Sequence, residues 1–594
     1  MTEAAGLPPP GLLLVVGGLL LPLLRGAAPA VALALPLLTL AGIWMIPGDL
    51  TVTLPFMDAY TLTVLQWQPP TAVFATIFAL MAFAGALFAH PIAGLNSARG
   101  KRWRVELPAA FVYAGSAICV TFAGDILTLF MFWELMAVGS TVVVWSAGTK
   151  ESGRAGYRYA LVHLVGGVLL MAGILAHVYA LQARGVADPL ALSHFAFGAT
   201  FTGLTCGPGE VAPWLILLGI LVNAGAPGLG AWLPDAYPEA SESGTVFLSA
   251  YTTKTSVYVL MLLFAGTDLL VYVGLAMAVY GIVYAILEND MRRILAYSII
   301  NQVGFMVCGI GIGTAMALNG AAAHAFAHII YKALLLMSAG SVLYMTGKRK
   351  CTDLGGLYHS MPITMWCGII GALAISSFPL TSGFVTKSMI NQAAADSHLA
   401  LAWFVLTAAS AGVFLHAGIK FPWFVFFQKD SGLRPPDPPW NMRAAMLLFA
   451  ALCVGLGVPG LYAPLYAILP FPAETAKYEA YTASHVISQL QLLLFSGLAF
   501  FTLLPVLKRT LTITLDSDWF YRVLFPGAWK HLLRPVALAL GDVRDGFIGH
   551  LPDDLKRVVY SAPQEGQYFR EWGLGGATIL ICGLLAVCLF LAYV

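Results

Sequence analysis

The sequence predicts an all-α, polytopic membrane protein. Of its 594 residues, 59% are hydrophobic and only 10% are charged, whereas about 25% of the residues of a soluble protein carry a charge. The mean hydropathy is +0.82, and apolar runs of roughly twenty residues, the length that crosses a bilayer, recur throughout. No stretch is polar enough for a soluble domain, and the sequence contains no basic tract of the nucleic-acid-binding kind.

Sixteen apolar segments predict sixteen transmembrane helices. They cover about 11–25, 27–47, 70–91, 105–122, 124–146, 158–181, 211–228, 245–265, 269–288, 292–313, 317–345, 362–390, 400–428, 443–469, 486–507 and 573–593. Loops on the inner side of a membrane are enriched in Lys and Arg. With the N-terminus placed outside, almost all loop Lys and Arg fall inside, and Arg184 and Lys477 are the exceptions. We therefore expect both termini outside, in a bacterial-type inner membrane.

Three segments between or beside these helices have their own patterns. Residues 49–66 alternate apolar and polar side chains, which favours a short hairpin on the outer side. Residues 181–210 form a long outer loop. Residues 530–551 carry an apolar stripe at spacings of three and four, which predicts an amphipathic segment lying along the inner surface.

Two helices are expected to be broken. Residues 223–236, NAGAPGLGAWLPDA, and 376–387, SSFPLTSGFVTK, place Gly and Pro inside spanning segments. Matched interruptions are typical of transporters built from inverted repeats, with a site near the bilayer midplane. We expect five domains: 1–104 with helices 1–3 and the hairpin, a first repeat at 105–265, a second at 266–430, 431–507 with helices 14–15, and 508–594 with the surface segment and last helix.

Buried ionisable residues indicate where the function lies, because a charge at the bilayer centre costs several kcal/mol. Glu134 and Lys254 both lie near the middle of a predicted helix. Glu134 is either a proton-holding carboxyl or a structural one bonded to a neighbouring helix. Lys254 is either a proton carrier or a side chain that reaches towards the membrane surface. Lys387 directly follows the second break, where water or backbone carbonyls can reach it.

His324, His328 and Lys332 recur every fourth residue of one helix. Four residues turn a helix by about 40° and rise about 6 Å, so the three form a slanting row about 12 Å long. Histidine titrates near neutral pH, which suits a proton relay. Metal or haem ligation and simple hydrogen-bonded packing are the alternatives. His163, His416 and Lys420 are weaker candidates because each can lie near a helix end.

Six stretches within about residues 70–430 carry a further signal: FMFWELM (130–136), WLPDAYPEA (232–240), YTTKTSVYVL (251–260), NDMRRILAYSIINQVGFM (289–306), HAFAHIIYKALLLMSAGSV (324–342) and FPLTSGFVTKSMI (378–390). In order and spacing they resemble one family: the antiporter-like subunits shared by NADH:quinone oxidoreductase (L, M and N types), Mrp-type cation/proton antiporters and membrane-bound hydrogenases. The tail is similar to a short version of the lateral arm of the L type.

The resemblance implies roles for particular residues. Glu134 is similar to the glutamate of a first half-channel, Lys254 to a lysine between half-channels, and Lys387 to the lysine facing the exit. His324, His328 and Lys332 are similar to the central relay. The family usually has a lysine where this chain has Asn223, so either Lys254 or His163 partners Glu134, or the first half-channel is impaired. Asp235, within WLPDAYPEA, is a secondary candidate.

Three hypotheses remain open. The first is a subunit of a multisubunit complex that moves H+ alone or in exchange for Na+ or K+. The second is a structural or coupling subunit with an impaired first half-channel, which Asn223 favours. The third is a redox enzyme binding quinone or haem, which the lack of cofactor motifs disfavours. We expect no cofactor, no metal and no redox site in the chain, and we expect other membrane subunits and the lipid bilayer as its partners.

Overall fold

The computed structural model describes residues 7–57, 60–198, 200–504, 516, 519–528 and 530–531. The chain divides into two units, 1–517 and 518–594. In the second unit, the described part includes a π-helical turn, Phe520–Leu524, and a short helix, Phe525–Ala528. The amphipathic segment, apart from its first two residues, and the sixteenth predicted helix lie outside the described residues, so both stay predictions.

Within its described residues, the first unit consists of helices, turns and loops apart from one hairpin. Its helices before the second predicted repeat are α1 Gly11–Leu20, α2 Ala28–Met45, α3 Thr71–Ala89, α4 Ala98–Phe122, α5 Ile126–Trp145, α6 Lys150–Ala183, α7 Val211–Ala224, α8 Trp232–Ala236, α9 Gly244–Leu248 and α10 Thr252–Leu263. Short 3-10 turns cover Leu21–Ala27, Leu192–Phe195, Pro208–Glu210 and Tyr237–Glu239. The strands β1 Val52–Phe56 and β2 Tyr60–Leu65 pair antiparallel, which confirms the predicted hairpin.

The helices of the remainder are α11 Asp268–Leu287, α12 Met291–Ile312, α13 Ala315–Thr346, α14 Pro362–Ile375, α15 Ser382–Asp396, α16 Ala400–Val413, α17 Trp440–Gly455, α18 Ala463–Ala467, α19 Pro472–Thr475 and α20 Ala483–Leu503. The helix Phe525–Ala528 of the second unit is α21. Two π-helical segments, Phe414–Lys420 and Trp423–Phe427, continue α16, and 3-10 turns cover Cys351–Asp353 and Leu357–His359. Polar caps fix several starts; Asp125 accepts from Thr128 N at 2.7 Å before α5, which satisfies an amide that the helix leaves free.

The chain is a multi-pass membrane protein. Within the described residues, eleven helical stretches are long and apolar enough to cross a membrane, and four shorter apolar helices accompany them. Each of the first fifteen predicted segments overlaps one of these helices. The number of actual crossings, the two repeats and their inverted relation stay predictions.

The centre of the first unit is formed by α12 and α13. Of the most apolar eighteen consecutive residues in each helix, 100% are buried in α12 and 94% in α13, against 17% in α20. A helix that is buried all round lies inside a bundle rather than at its surface. The helix that carries the His and Lys row is therefore enclosed by protein, which keeps its ionisable groups away from lipid.

Both predicted breaks are present. The first follows α7, where Gly225 adopts φ +81° and the chain resumes as a helix only at Trp232. The indole of Trp232 donates to the carbonyl of Val222 at 2.9 Å, and the same carbonyl accepts from Gly225 N at 3.2 Å. In the second, between α14 and α15, Ser377 and Leu380 adopt φ of 59° and 67°, a region that such residues rarely occupy. Strain of this kind is typical of functional sites.

A third interruption was not predicted. The sequence favours one continuous helix over 245–265, but α9 ends at Leu248 and α10 begins at Thr252. The segment 249–256 reads SAYTTKTS, and hydroxyl side chains can compete for backbone hydrogen bonds and weaken a helix. The interruption frees a backbone carbonyl one turn before Lys254.

A buried row of ionisable side chains

The three residues of the α13 row are fully buried, and the hydrogen-bond partners of His324 and Lys332 lie on α12, on α15 and on α13 itself. His324 Nε2 lies 3.1 Å from Gln302 Oε1 on α12, and His324 Nδ1 lies 3.5 Å from Thr386 Oγ1 on α15. The hydroxyl of Tyr331 donates to the same Gln302 oxygen at 3.1 Å. Gln302 therefore orients His324, and it holds Tyr331 beside the ring.

His328 has no hydrogen-bond partner at either ring nitrogen within the part of the chain that is described. Its ring packs against Tyr331 and His324, with centroids 5.2 Å and 6.3 Å away. A buried polar group without a partner costs about 1–3 kcal/mol and is uncommon in native proteins. Such a cost is typical of a group kept free for exchange. Lys332 differs, since its Nζ donates to Ser298 Oγ at 2.9 Å.

Backbone carbonyls at helix interruptions hold Lys254 and Lys387. Lys254 Nζ donates to Ser249 O at 2.6 Å and to Thr253 Oγ1 at 3.0 Å. Lys387 Nζ donates to Ile375 O, at the end of α14, at 3.3 Å and lies 4.9 Å from the ring centroid of Phe305. The C-terminal end of a helix carries partial negative charge, so these carbonyls stabilise a cation without a carboxylate.

Lys420 follows the same pattern. Its Nζ donates to Ile286 O and Glu288 O, both at 2.5 Å, where α11 ends. His416 lies one turn earlier, fully buried, with Nδ1 2.8 Å from Gly412 O. Lys420 thus binds carbonyls at the end of α11, and His416 binds a carbonyl one turn back in its own helix. Among the described residues, no hydrogen bond joins Lys420 or His416 to the α13 row.

Glu134 has no charged partner in the described structure. It is partly buried, and its Oε1 is buried without a hydrogen-bond partner in the described residues. A Cβ built on Gly167 of α6 would lie 2.2 Å from Oε1, so the glycine makes room for the carboxyl group. Neither Lys254 nor His163 forms an ion pair with Glu134 in the described structure, which removes the direct pairing that the sequence left open.

His163 is paired with Asn223. His163 Nδ1 lies 2.6 Å from Asn223 Oδ1, while Nε2 is buried without a partner among the residues described. The ring packs between Tyr159 and Trp232, with centroids 4.1 Å and 4.6 Å away. The side chains of Asn223 and His163 thus form one neutral pair at the first break.

Asp235 is part of an ion pair. Its two carboxylate oxygens accept from Arg158 at 2.7 Å and 2.9 Å, the bidentate geometry that Arg favours. This contact ties α6 to α8. We expect a positional role for Asp235, since its carboxylate already has a fixed cation.

A second network holds the end of the first broken helix. Arg292 donates to Pro238 O at 2.8 Å and to Ser241 O at 2.7 Å, and Arg349 contacts both Glu239 and Asp290, at 2.9 Å and 2.8 Å. Burial raises the pKa of Asp290, and the guanidinium of Arg349 opposes that rise. The network fixes residues 238–241, which link the first break to α9.

No group of three or more His, Cys, Asp or Glu that could hold a metal ion lies in the described part of the chain. Sequence reasoning missed the partners of the buried groups rather than the groups themselves. Gln302 and Ser298 lie within the motif NDMRRILAYSIINQVGFM, whose resemblance to the family does not single out either residue. Nothing in the pattern shows that Ser249 O or Ile375 O faces a lysine, because a backbone carbonyl is present at every position.

Comparison with known proteins confirms the resemblance seen in the sequence. Residues 123–414 match the family described as NADH:quinone oxidoreductase/Mrp antiporter, transmembrane. A Rhizobium meliloti protein, named as the probable A/B subunit of a K+/H+ antiporter, is 28% identical over 379 residues, covering 60% of this chain and 36% of that protein. The N subunit of the NADH-quinone oxidoreductase of Desulforudis audaxviator is 27% identical over 422 residues, covering 66% of this chain and 82% of that protein.

Across five curated relatives, the chain spans only 36% to 62% of their length. Among solved structures, a chain of the membrane-bound sulfane sulfur reductase, an archaeal respiratory membrane complex, superposes with a TM-score of 0.68 at 22% identity. That match covers 98% of this chain and 99% of the other. At this identity the likeness shows the fold alone, and it confirms an all-α membrane architecture.

Proposed function

Starting from the match to the NADH:quinone oxidoreductase/Mrp antiporter family, we propose that this chain is an ion-translocating subunit of a multisubunit membrane complex. It moves H+, alone or in exchange for Na+ or K+, in a bacterial-type inner membrane with both termini outside. The relatives named as antiporter and oxidoreductase subunits support the proposal. Its partners are other membrane subunits, as the source of the superposed chain suggests.

The observation that carries the proposal is a row of titratable groups through the buried centre. The ring centroids of His324 and His328 lie 6.3 Å apart, and Lys332 follows one turn later on α13, all three fully buried. On α15, Thr386 lies 3.5 Å from His324 and is followed directly by the buried Lys387. In the described residues, no carboxylate lies within salt-bridge distance of the three lysines, Lys254, Lys332 and Lys387. A proton that arrives at one group therefore changes the protonation free energy of the next, about 1.4 kcal/mol for each pKa unit.

Each group has a stated role in this proposal. Lys254 receives protons from the first half of the chain, and His328 and His324 carry them along α13. Lys332 sets the local charge, and Lys387, at the second break, exchanges protons with the exit side. The second break supports the role of Lys387, because unwound backbone at membrane depth is tolerated only where it is buried in protein or lines a water-filled cavity.

Two alanine variants test the proposal. Lys332→Ala and Lys387→Ala are expected to abolish transport while the complex still assembles, because the first removes the buried charge beside the relay and the second removes a buried proton carrier. Everted vesicles that hold the whole complex are energised, and acridine orange reports the pH gradient before and after addition of NaCl or KCl. Lys477→Ala is the matched control, since Lys477 is exposed and, among the described residues, its one ion pair is with Glu474. Wild-type flux in both test variants would refute the proposal.

A second function is favoured by one observation. Glu134 has no cation beside it in the described structure, so the chain can instead be a coupling subunit whose first half is idle. Restoring a lysine with Asn223→Lys separates the two: changed flux or a changed pH profile shows a working first half. Purification in mild detergent then identifies the parent complex, since co-purifying iron–sulfur subunits indicate a redox pump and small membrane subunits alone indicate an antiporter.

A further inference from the structure

We propose that His163, oriented by Asn223, is the proton carrier that links Glu134 to Lys254. The inference rests on the proposed function and adds the route by which a proton crosses the first half of the chain. Its basis is the position of two buried polar atoms that have no hydrogen-bond partner in the described structure: Nε2 of His163 on α6, and Oε1 of Glu134, which reaches α6 from α5.

Asn223 sets the tautomer of His163. The amide oxygen Oδ1 can only accept, so Nδ1, 2.6 Å away, carries the hydrogen. In the neutral ring, Nε2 then has the free lone pair. The side chain is 3% exposed, and no hydrogen bond within the described residues occupies Nε2. A buried imidazole whose one nitrogen is fixed and whose other nitrogen is free is prepared to accept a proton.

Glu134 and His163 face the same stretch of α6. The carboxyl group of Glu134 fills the space at Gly167, and His163 lies four residues earlier, about 6 Å along the helix axis. Helical side chains lean towards the N-terminus, so the imidazole lies farther from the carboxyl group than the backbone does. The two groups do not touch, so the proposed transfer between them requires intervening water.

On its other side, His163 packs against Tyr159, and several hydroxyl groups lie between that ring and Lys254. Its ring packs on Tyr159, whose hydroxyl donates to Ser140 Oγ at 2.9 Å and lies 3.4 Å from Thr252 Oγ1. The next residue, Thr253, accepts from Lys254 Nζ at 3.0 Å. His163 thus occupies the interval between the acid of the first half and the first lysine of the row.

In the proposed path, each proton that leaves one group binds to the next. A proton leaves the carboxyl group of Glu134, which becomes a carboxylate, and binds His163 Nε2, which becomes an imidazolium. Because Nδ1–H stays bound to Asn223, the imidazolium then gives up its Nε2 proton. That proton passes by way of the Tyr159 and Thr252 hydroxyl groups and intervening water to the neutral amine of Lys254, which becomes an ammonium. Renewed protonation of Glu134 and release from Lys254 restore the starting state.

Other charged and titratable groups surround His163. On α6 itself, Arg158 is neutralised by Asp235 of α8. The 3-10 turn after α8 presents Tyr237 near Trp232, with ring centroids 5.7 Å apart. From α5, the facing acid is Glu134, and from α7 it is the neutral Asn223. Glu134 is therefore the acid without a fixed cation among these neighbours in the described structure.

The variant His163→Asn tests the inference. The amide nitrogen of the new asparagine takes the place of Nδ1 and still donates to Asn223, while the basic Nε2 is lost. We expect flux to fall by about tenfold or more at every pH, since loss of a positioned acid–base group costs about 10²–10⁴-fold. The assay is the acridine orange measurement on vesicles with the whole complex, normalised to complex abundance.

The matched control is His177→Asn on the same helix. His177 lies 2.9 Å by Nε2 from the carbonyl of His194, at the exposed end of α6, and its variant is expected to keep wild-type flux. Equal flux in His163→Asn and His177→Asn at normal abundance would overturn the inference but not the proposed function. Absence of flux in the wild type would overturn both.

A second variant keeps the inference testable if His163→Asn fails to accumulate. Asn223→Asp places a carboxylate beside Nδ1, which favours the imidazolium. The alkaline limb of the pH profile of flux is then expected to move up by about one pH unit. An unchanged profile in Asn223→Asp would overturn the inference.

Discussion

Gly167→Ala tests the placement of Glu134 without removing any ionisable group. The new Cβ would lie 2.2 Å from Oε1, 2.9 Å from Cδ and 3.1 Å from Oε2 of Glu134. Ordinary contact needs about 3.5 Å, so the carboxyl group must move by about 1 Å. The helix itself gains about 1 kcal/mol from replacing Gly by Ala, and we therefore expect the complex to assemble.

The expected effect is on flux. Misplacing a reacting group by about 1 Å can cost about a hundredfold in rate, so we expect a loss between about tenfold and a hundredfold. Gly153→Ala on the same α6 is the control, because a Cβ there meets no atom within 4 Å. The initial rate of acridine orange dequenching in everted vesicles measures both variants, with abundance from a quantitative blot.

A double variant decides between displacement and general damage. Glu134→Asp shortens the side chain by one methylene and so withdraws the carboxyl group from the Cβ that Gly167→Ala introduces. The double variant is therefore expected to recover part of the flux that Gly167→Ala loses. If Gly167→Ala transports like the wild type, the carboxyl group does not need its position against α6. The assignment of Glu134 to the path would then be wrong.

Two further variants test the centre and the second break. Gln302→Leu removes the oxygen that accepts from Tyr331 and faces His324; we expect at least about a tenfold loss of flux at normal abundance, measured in the same vesicles. Gly383→Ala would bring a Cβ to 1.9 Å from Ala374 O, so the break must distort; we expect a lower melting temperature of the purified complex, and an unchanged value would contradict the tight approach.

The sequence predicted what depends on local pattern. Runs of apolar residues located the helices, Gly and Pro located two breaks, and alternation located the hairpin. The third interruption, before Lys254, was not predicted because SAYTTKTS contains neither Gly nor Pro. Hydroxyl side chains loosen a helix only where tertiary contacts take over the backbone bonds, and sequence spacing does not reveal those contacts.

The candidate residues were predicted, but their pairing was not. A buried charge indicates function by its rarity, so Glu134, Lys254 and Lys387 stand out in the sequence. Their partners depend on which carbonyl or side chain the fold brings near. In the sequence, Asn223 indicates only the loss of a lysine, and the structure adds that its oxygen fixes the ring of His163.

The partners share one property that favours proton movement: they are neutral. The oxygens of Ser249, Ser298 and Ile375 accept from lysines, and the amide of Asn223 faces a histidine. When a proton leaves a lysine that is paired with a carboxylate, an uncompensated buried charge remains, at a cost of several kcal/mol. When it leaves a lysine held by a carbonyl, the neutral amine still donates to the same oxygen and no bare charge is left. A row built on neutral acceptors therefore carries a buried charge only while a proton is bound, and losing that proton leaves no bare carboxylate behind.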